Sequence, residues 1–188
     1  MNTLSFPSLR AKIVRSPAVK AILDALGGEK GAHAGKFPLE IDAAEGAFAG
    51  ILISLMYTAC GGKILAVVPT ETEAAILARD LETALDPLGR GNAPAAVFPW
   101  WGAMPYRDMP PLSAVFGERM GVLAALAAGK DGIVIVPERA FLTPLPPPDY
   151  VKRLLVTLEG GGAIDTTALA ETLVSYGYTR VPRVQVRG

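Results

Sequence analysis

Only one cysteine, Cys60, occurs in the 188 residues. No disulfide can therefore form within the chain, and a thiol ending a long apolar run is expected to be a core thiol. There is one histidine, His33, set in the stretch GGEKGAHAGK. With no second imidazole or thiol beside it, it reads as a loop residue and no metal ligand. Neither sign of charge is in excess, since 18 Lys and Arg balance 18 Asp and Glu. That argues against holding nucleic acid through a broad basic field, because phosphate affinity scales with the cations supplied, although a local basic patch stays open. The apolar run Ala47–Ala59 is too short to span a bilayer. The N-terminus, MNTLSFPSLRAKIVRS, lacks the apolar core of a signal peptide. No internal repeat occurs. These absences lead to the expectation of a globular chain in a reducing cytoplasm, without a membrane segment.

What is present centres on PLEIDAAEGAFAGILISLMYTACGGKILAVVPT, residues Pro38 to Thr70. Pro38–Ile41 is predicted as a short strand, Asp42–Gly46 as a turn and Ala47–Ala59 as a buried helix, apolar almost all round. Gly61-Gly62 ends that helix, and Lys63–Val68 is a continuous apolar run, as expected of a strand buried on both faces. Together these make a βαβ unit. A P-loop would place G-x-x-x-x-G-K-[ST] in its first turn, to cradle phosphates and hold Mg²⁺. Here one glycine, Gly46, survives. Phe48 stands in the Lys position, Ala49 in the hydroxyl position, and Glu45 would aim a carboxylate at the phosphates. The expectation is the architecture of a nucleotide-binding lobe without its chemistry.

Elsewhere the pattern alternates helix and strand. Ser8–Leu26 is predicted as a helix disturbed by Pro17, and Gly27–Lys36 as a flexible connection. Thr70 and Glu73 form a capping-box pattern that opens a helix carrying Ala74, Leu77, Leu81 and Leu85. Ala95–Phe98 is a short third strand. The tryptophans and four prolines of FPWWGAMPYRDMPP, Phe98 to Pro111, suggest an ordered loop packed by its aromatics. Base stacking on them would want more cation than Arg107, which Asp108 offsets. Ser113–Ala128 is a helix expected to face inward with Phe116, Met120, Leu123 and Ala127, leaving Glu118 and Arg119 at its edges. Ile133–Val136 is a doubly buried strand, and Pro137 starts a short helix. The proline run Pro144–Pro148 reads as a junction. Beyond it a strand is expected at Val151–Leu158, then a helix at Thr166–Tyr176 capped by Asp165, then an extended tail. The chain stops at Arg187-Gly188 in mid-pattern, as expected of a piece of something longer. The fold class is α/β, three layers about a mostly parallel sheet, followed by a small α+β domain.

The succession FPWWGAMPYRD, SAVFGERMGVLAAL, DGIVIVPERAFLTPLPPP and LVTLEGGGAIDTTALAETLVSYGYTRV resembles the N-terminal part of the bacterial transcription-repair coupling factor, Mfd. The resemblance runs from about Phe37 to Gly188. It implies a lobe similar to the excision-repair protein UvrB: helicase-like, of P-loop-NTPase type, with a degenerate P-loop at Glu45, Gly46, Phe48 and Ala49 and an inserted domain that recruits UvrA. The implied organisation is an N-terminal helix and linker over 1–36, the degenerate lobe over 37–143, and a UvrA-binding domain over 144–188. The second half of the lobe, which closes the sheet, would lie elsewhere in the parent protein. The loop after Phe98 is too short for the aromatic hairpin with which UvrB grips damaged DNA. Arg180 matches the Tyr-x-Arg position by which the family holds UvrA, and Arg183 and Arg187 are its basic neighbours. The resemblance implies no catalysis and no cofactor in this segment. ATP and Mg²⁺ would belong to the parent's DNA-translocase motor, with RNA polymerase and DNA bound through other domains. The alternatives are an active P-loop ATPase lobe of a UvrB-like repair helicase, and a stand-alone small-molecule enzyme of doubly wound fold. The first needs a Lys and a Ser or Thr in the turn and an acidic strand end, which Ile133–Val136 lacks. The second lacks a Ser/His/Asp set and a G-x-G-x-x-G turn.

Overall fold

The computed structural model describes residues 5–26, 38–86, 94–102, 113–156, 158 and 160–181. Within them run α1 (Phe6–Val14), α2 (Pro17–Leu26), α3 (Ala47–Cys60), β1 (Lys63–Val68) and α4 (Glu71–Leu85). They are followed by β2 (Ala95–Val97), α5 (Ser113–Ala127), β3 (Gly132–Pro137), α6 (Glu138–Phe141), α7 (Pro148–Arg153) and α8 (Thr166–Ser175).

The three strands are parallel in the order β1-β3-β2. Register pairs Leu65 with Val134 and Val67 with Val136, and on the other side Ala95 with Ile133. The step from β1 to β2 passes over β3, and the step from β2 to β3 comes back. Right-handed crossovers then require α4 and α5 to lie on opposite faces of the sheet. Packing agrees with this. Ile133 and Ile135 are buried with Ala74, Leu77 and Leu81 of α4, whereas Val136 is buried with Val122 of α5, Phe98 and Ala140. Alternate residues of one strand thus feed two separate cores. The result is an α/β lobe with helices on both faces.

Because α5 returns from β2 to β3, it leaves the same face of β1 uncovered. Leu65 and Val67 are 57% and 50% exposed there, so the expectation that Lys63–Val68 is buried on both faces is corrected: β1 is covered on one face only. Beside them a cavity of about 220 Å³ is lined by Leu65, Val134, Val136, Phe141 and Leu145, among others.

On the opposite side α3 forms an outer layer against α4 and α2. A Cβ built on Gly50 would lie 2.8 Å from the Asp80 Cβ, so the close approach of α3 to α4 depends on that glycine. The α4 cap is the reciprocal box expected: the Glu73 N–H donates to Thr70 Oγ1 and the Thr70 N–H to Glu73 Oε2. Asp165 caps α8 through the N–H groups of Thr167 and Ala168.

Several expectations are corrected. Pro38–Ile41 forms no strand, so no βαβ unit is built around α3; a four-residue extended segment has no ladder without a partner edge. The predicted helix 8–26 is two helices, because Pro17 takes the first position of α2, where its missing N–H costs nothing. The strand expected at Val151–Leu158 is instead α7 and irregular chain. Pro148 pre-sets the first turn, with Asp149 at the start and Lys152 and Arg153 at the end complementing the helix dipole. Val151 is buried, and α7 packs on α5. Cys60 is exposed rather than a core thiol, because α3 buries Gly50, Leu52, Ser54 and Leu55 while its last turn projects past them. Among the described residues no helix is long and apolar enough to cross a membrane. His33 lies outside them, as do Arg107 and Asp108.

Candidate functional site

Three places carry the chemistry anticipated from sequence. The first is the turn before α3. Gly46 has φ 55° and ψ −142°, a conformation almost reserved to glycine. Ala43 is also left-handed, at φ 58°. The turn is therefore sharply shaped, but Phe48 points away from any phosphate-like role. It packs with Val19, Leu52 and Leu55 and helps to seat α2. Glu45 and Gly46 are exposed and Ala49 is partly buried. No side chain caps the N-terminus of α3. The four positions are together, and of them Phe48 serves packing.

The second place is the carboxyl edge of the sheet, where open α/β folds present ligand-binding loops. Here the chain leaving β2 continues as Phe98-Pro99-Trp100-Trp101. Phe98 is buried, and the Arg119 guanidinium carbon lies 3.9 Å from its ring centre and 4.2 Å from that of Trp101. Arg119 Nη1 donates to the Pro99 carbonyl oxygen. Arg139, from α6 after β3, lies 5.3 Å from the Trp100 ring centre, and Phe116 stacks on Trp101 at 6.1 Å. Two arginines thus hold the aromatic loop through ring faces and one carbonyl. Burial pushes the Arg119 pKa below its ordinary value by desolvating the charged form. Its Nε is buried without a hydrogen-bond partner.

Sequence reasoning misassigned this helix face: Arg119 is 1% exposed and Phe116 is 53% exposed. The signal for an inward arginine was its company, an aromatic-rich stretch some twenty positions earlier. The start of the loop, 98–102, is packed by its aromatics as expected, and 103–111 lie outside the described residues.

The third place follows α8. The Tyr178 N–H donates to the Leu173 carbonyl at 3.1 Å and the Gly177 N–H to the Val174 carbonyl at 3.0 Å. With Gly177 at φ 93°, this is a Schellman cap. It turns the chain out of the helix and presents Tyr178, 66% exposed, and an exposed Arg180. The hydroxyl of Tyr176 donates to the Arg153 carbonyl at 3.0 Å, tying α8 to the end of α7. The Gly-Tyr-x-Arg pattern is thus a helix stop followed by two projecting side chains. Arg183 and Arg187 lie outside the described residues.

Among the described residues no group of three or more His, Cys, Asp or Glu side chains is placed to hold a metal ion.

An open, parallel α/β lobe with an aromatic-arginine clasp and a projecting Tyr-x-Arg is the class of structure these places define. Over part of its length the chain is similar to transcription-repair-coupling factors. It is 41% identical over 66 residues to the factor of Staphylococcus epidermidis, a match covering 35% of this chain and 6% of the relative. It is 26% identical over 92 residues to that of Haemophilus influenzae, covering 49% of this chain and 8% of the relative. The matches thus span less than a tenth of the relatives' length. No protein-family model matches the chain.

Proposed function

We propose that this chain is the UvrA-docking adaptor region of a transcription-repair coupling factor. In this reading the lobe is helicase-like with a degenerate P-loop, does no chemistry of its own, and recruits UvrA to RNA polymerase stalled on damaged DNA. The parent protein would contact polymerase and DNA, and turn over ATP, through other domains. The observation that carries the reading is the exposed Tyr178 and Arg180, held out by the Gly177 cap. An exposed arginine just past a helix cap suits a protein interface, through its planar donor fork and its frequency at binding hot spots. The matches to coupling factors named for repair support it. The organisation follows the boundaries at 36, 37–143 and 144–188, with the proline run as junction.

A second feature fits the same reading. A further parallel strand placed outside β1 and reached from β3 by a right-handed crossover would bring its helix over Leu65 and Val67. We assign that role to another part of the coupling factor, the half that closes the sheet.

The test is a UvrA pull-down comparing wild type, Arg180→Ala and Lys63→Ala. Loss of at least tenfold in affinity for Arg180→Ala alone is expected. A folded Arg180→Ala variant that binds UvrA as wild type does would remove the assignment.

A further inference from the structure

The N-terminal helix pair leaves a groove unfilled. A cavity of about 710 Å³ is lined by Phe6, Arg10 and Val14 of α1, by Leu55 and Ala59 of α3, and by Leu23 of α2, among other residues. The α1 positions recur at intervals of four, so they form one face along the full length of the helix. Leu55 and Ala59 stand in the same relation on α3. The opening is therefore elongated and walled by two helices, which is the shape that accepts a third helix rather than a compact ligand.

Its polar features have one sign. The arm of Arg10 crosses from α1 to α3, where Nη2 donates to Thr58 Oγ1 at 3.0 Å. The Nε of the same side chain is buried with no partner. Arg15, also in the lining, is exposed. From Met1 to Leu23 the chain carries Arg10, Lys12, Arg15 and Lys20 and no acid, although the protein as a whole is neutral. An apolar trough with a cationic rim selects a partner with the opposite pattern.

We propose that this groove docks an acidic amphipathic helix of a partner protein. Apolar residues of the occupant at i, i+4 and i+7 would seat between α1 and α3, beside Leu23, and carboxylates on its flanks would pair with the Arg10 and Arg15 side chains in the lining. This does not rest on the reading of Arg180, and neither residue serves the other's surface.

The test uses the 188-residue chain and a fluorescein-labelled synthetic helix with leucines at i, i+4 and i+7 and glutamates on its flanks. The comparison is the same peptide with lysine in place of glutamate, both read by anisotropy. Saturable binding of the glutamate peptide is expected, at least tenfold tighter than that of the lysine peptide, and weakened fivefold or more by Arg10→Ala. Since Arg10→Ala removes a link between α1 and α3, a second variant fills the groove without removing a contact. Ala59→Trp, at an exposed position, should abolish binding while leaving the thermal melt unchanged. Equal binding of both peptides, no saturation with the glutamate peptide, or full binding by a folded Ala59→Trp chain would each overturn the proposal. So would co-sedimentation with phosphatidylglycerol vesicles in the absence of peptide binding, which would make the groove a membrane contact.

Discussion

Arg119 and Phe98 are in face-on contact, the guanidinium carbon 3.9 Å from the ring centre, although the two residues belong to different elements on the same side of the sheet. Among the described residues no carboxylate pairs with this buried cation. Its compensation comes from two ring faces and the Pro99 carbonyl. A desolvated cation–π contact contributes about 2 kcal/mol, and a hydrogen bond from a charged donor about 1.5–3 kcal/mol, against the desolvation of the charge.

Arg119→Ala should therefore destabilise the chain by about 2–4 kcal/mol, since it also opens a cavity beside Phe98 and Trp101. Arg119→Met should lose less, because methionine fills part of the space and leaves no charge to desolvate. Urea unfolding followed by tryptophan fluorescence measures both. An alanine variant as stable as wild type would show that the clasp contributes nothing net.

Gly50→Ala tests the α3–α4 approach. Alanine favours an isolated helix by about 1 kcal/mol over glycine. Here its Cβ would lie 2.8 Å from the Asp80 Cβ, a distance real side chains do not adopt. Overpacking of this kind costs about 1–3 kcal/mol, so the net expectation is a lower melting temperature. A rise would mean that α3 shifts freely on α4.

The phosphate-site reading gives a third expectation. Titration with ATP and Mg²⁺ by calorimetry should show no saturable heat, and Phe48→Lys should not create any. It should instead lower stability, because Phe48 packs with Val19, Leu52 and Leu55 and a lysine there loses that apolar burial. Micromolar ATP binding abolished by changes within 43–49 would reverse this view of the turn.

The elements that could be read from sequence are those whose signal is local. Lys63–Val68 and Ile133–Val136 are continuous β-branched and aliphatic runs, and the Thr70–Glu73 box is complete within four residues, so each needs no distant information. Where partners decide, sequence was mute or misleading. Pro38–Ile41 has the composition of a strand but pairs with none of the three strands. The apolar spacing at Val151–Leu158 suits a strand, while the helix there is set by Pro148 and the burial of Val151 under α5. Hydrophobicity alone turned Phe116 inward and left Arg119 at the edge of the face. The reverse holds because the inner neighbour is an aromatic loop, on which a guanidinium stacks. Helix α3, apolar all round, carried no signal to tell which turn would leave Cys60 exposed.

The last expectation concerns the site that presents Arg180. Gly177 has φ 93°, and its neighbours complete a Schellman cap through Tyr178 to Leu173 and Gly177 to Val174. A Cβ at this position meets no neighbouring atom within 4 Å, so the cost of substitution is backbone strain rather than a clash. Gly177→Ala should lose about 1–2 kcal/mol. Gly177→Asn should lose less, because asparagine tolerates the left-handed region better than other side chains. Amide exchange separates this local effect from general destabilisation. The Tyr178 N–H, which donates to the Leu173 carbonyl, should exchange faster in the alanine variant, while amides in the middle of α8 change little. Since Tyr178 and Arg180 leave the helix through this cap, Gly177→Ala should also weaken the proposed UvrA binding, by less than Arg180→Ala does because the guanidinium remains. Wild-type exchange at Tyr178 in the alanine variant would show that the exit direction is set by something other than the glycine. Unchanged exchange together with weakened UvrA binding would place residue 177 itself in the interface.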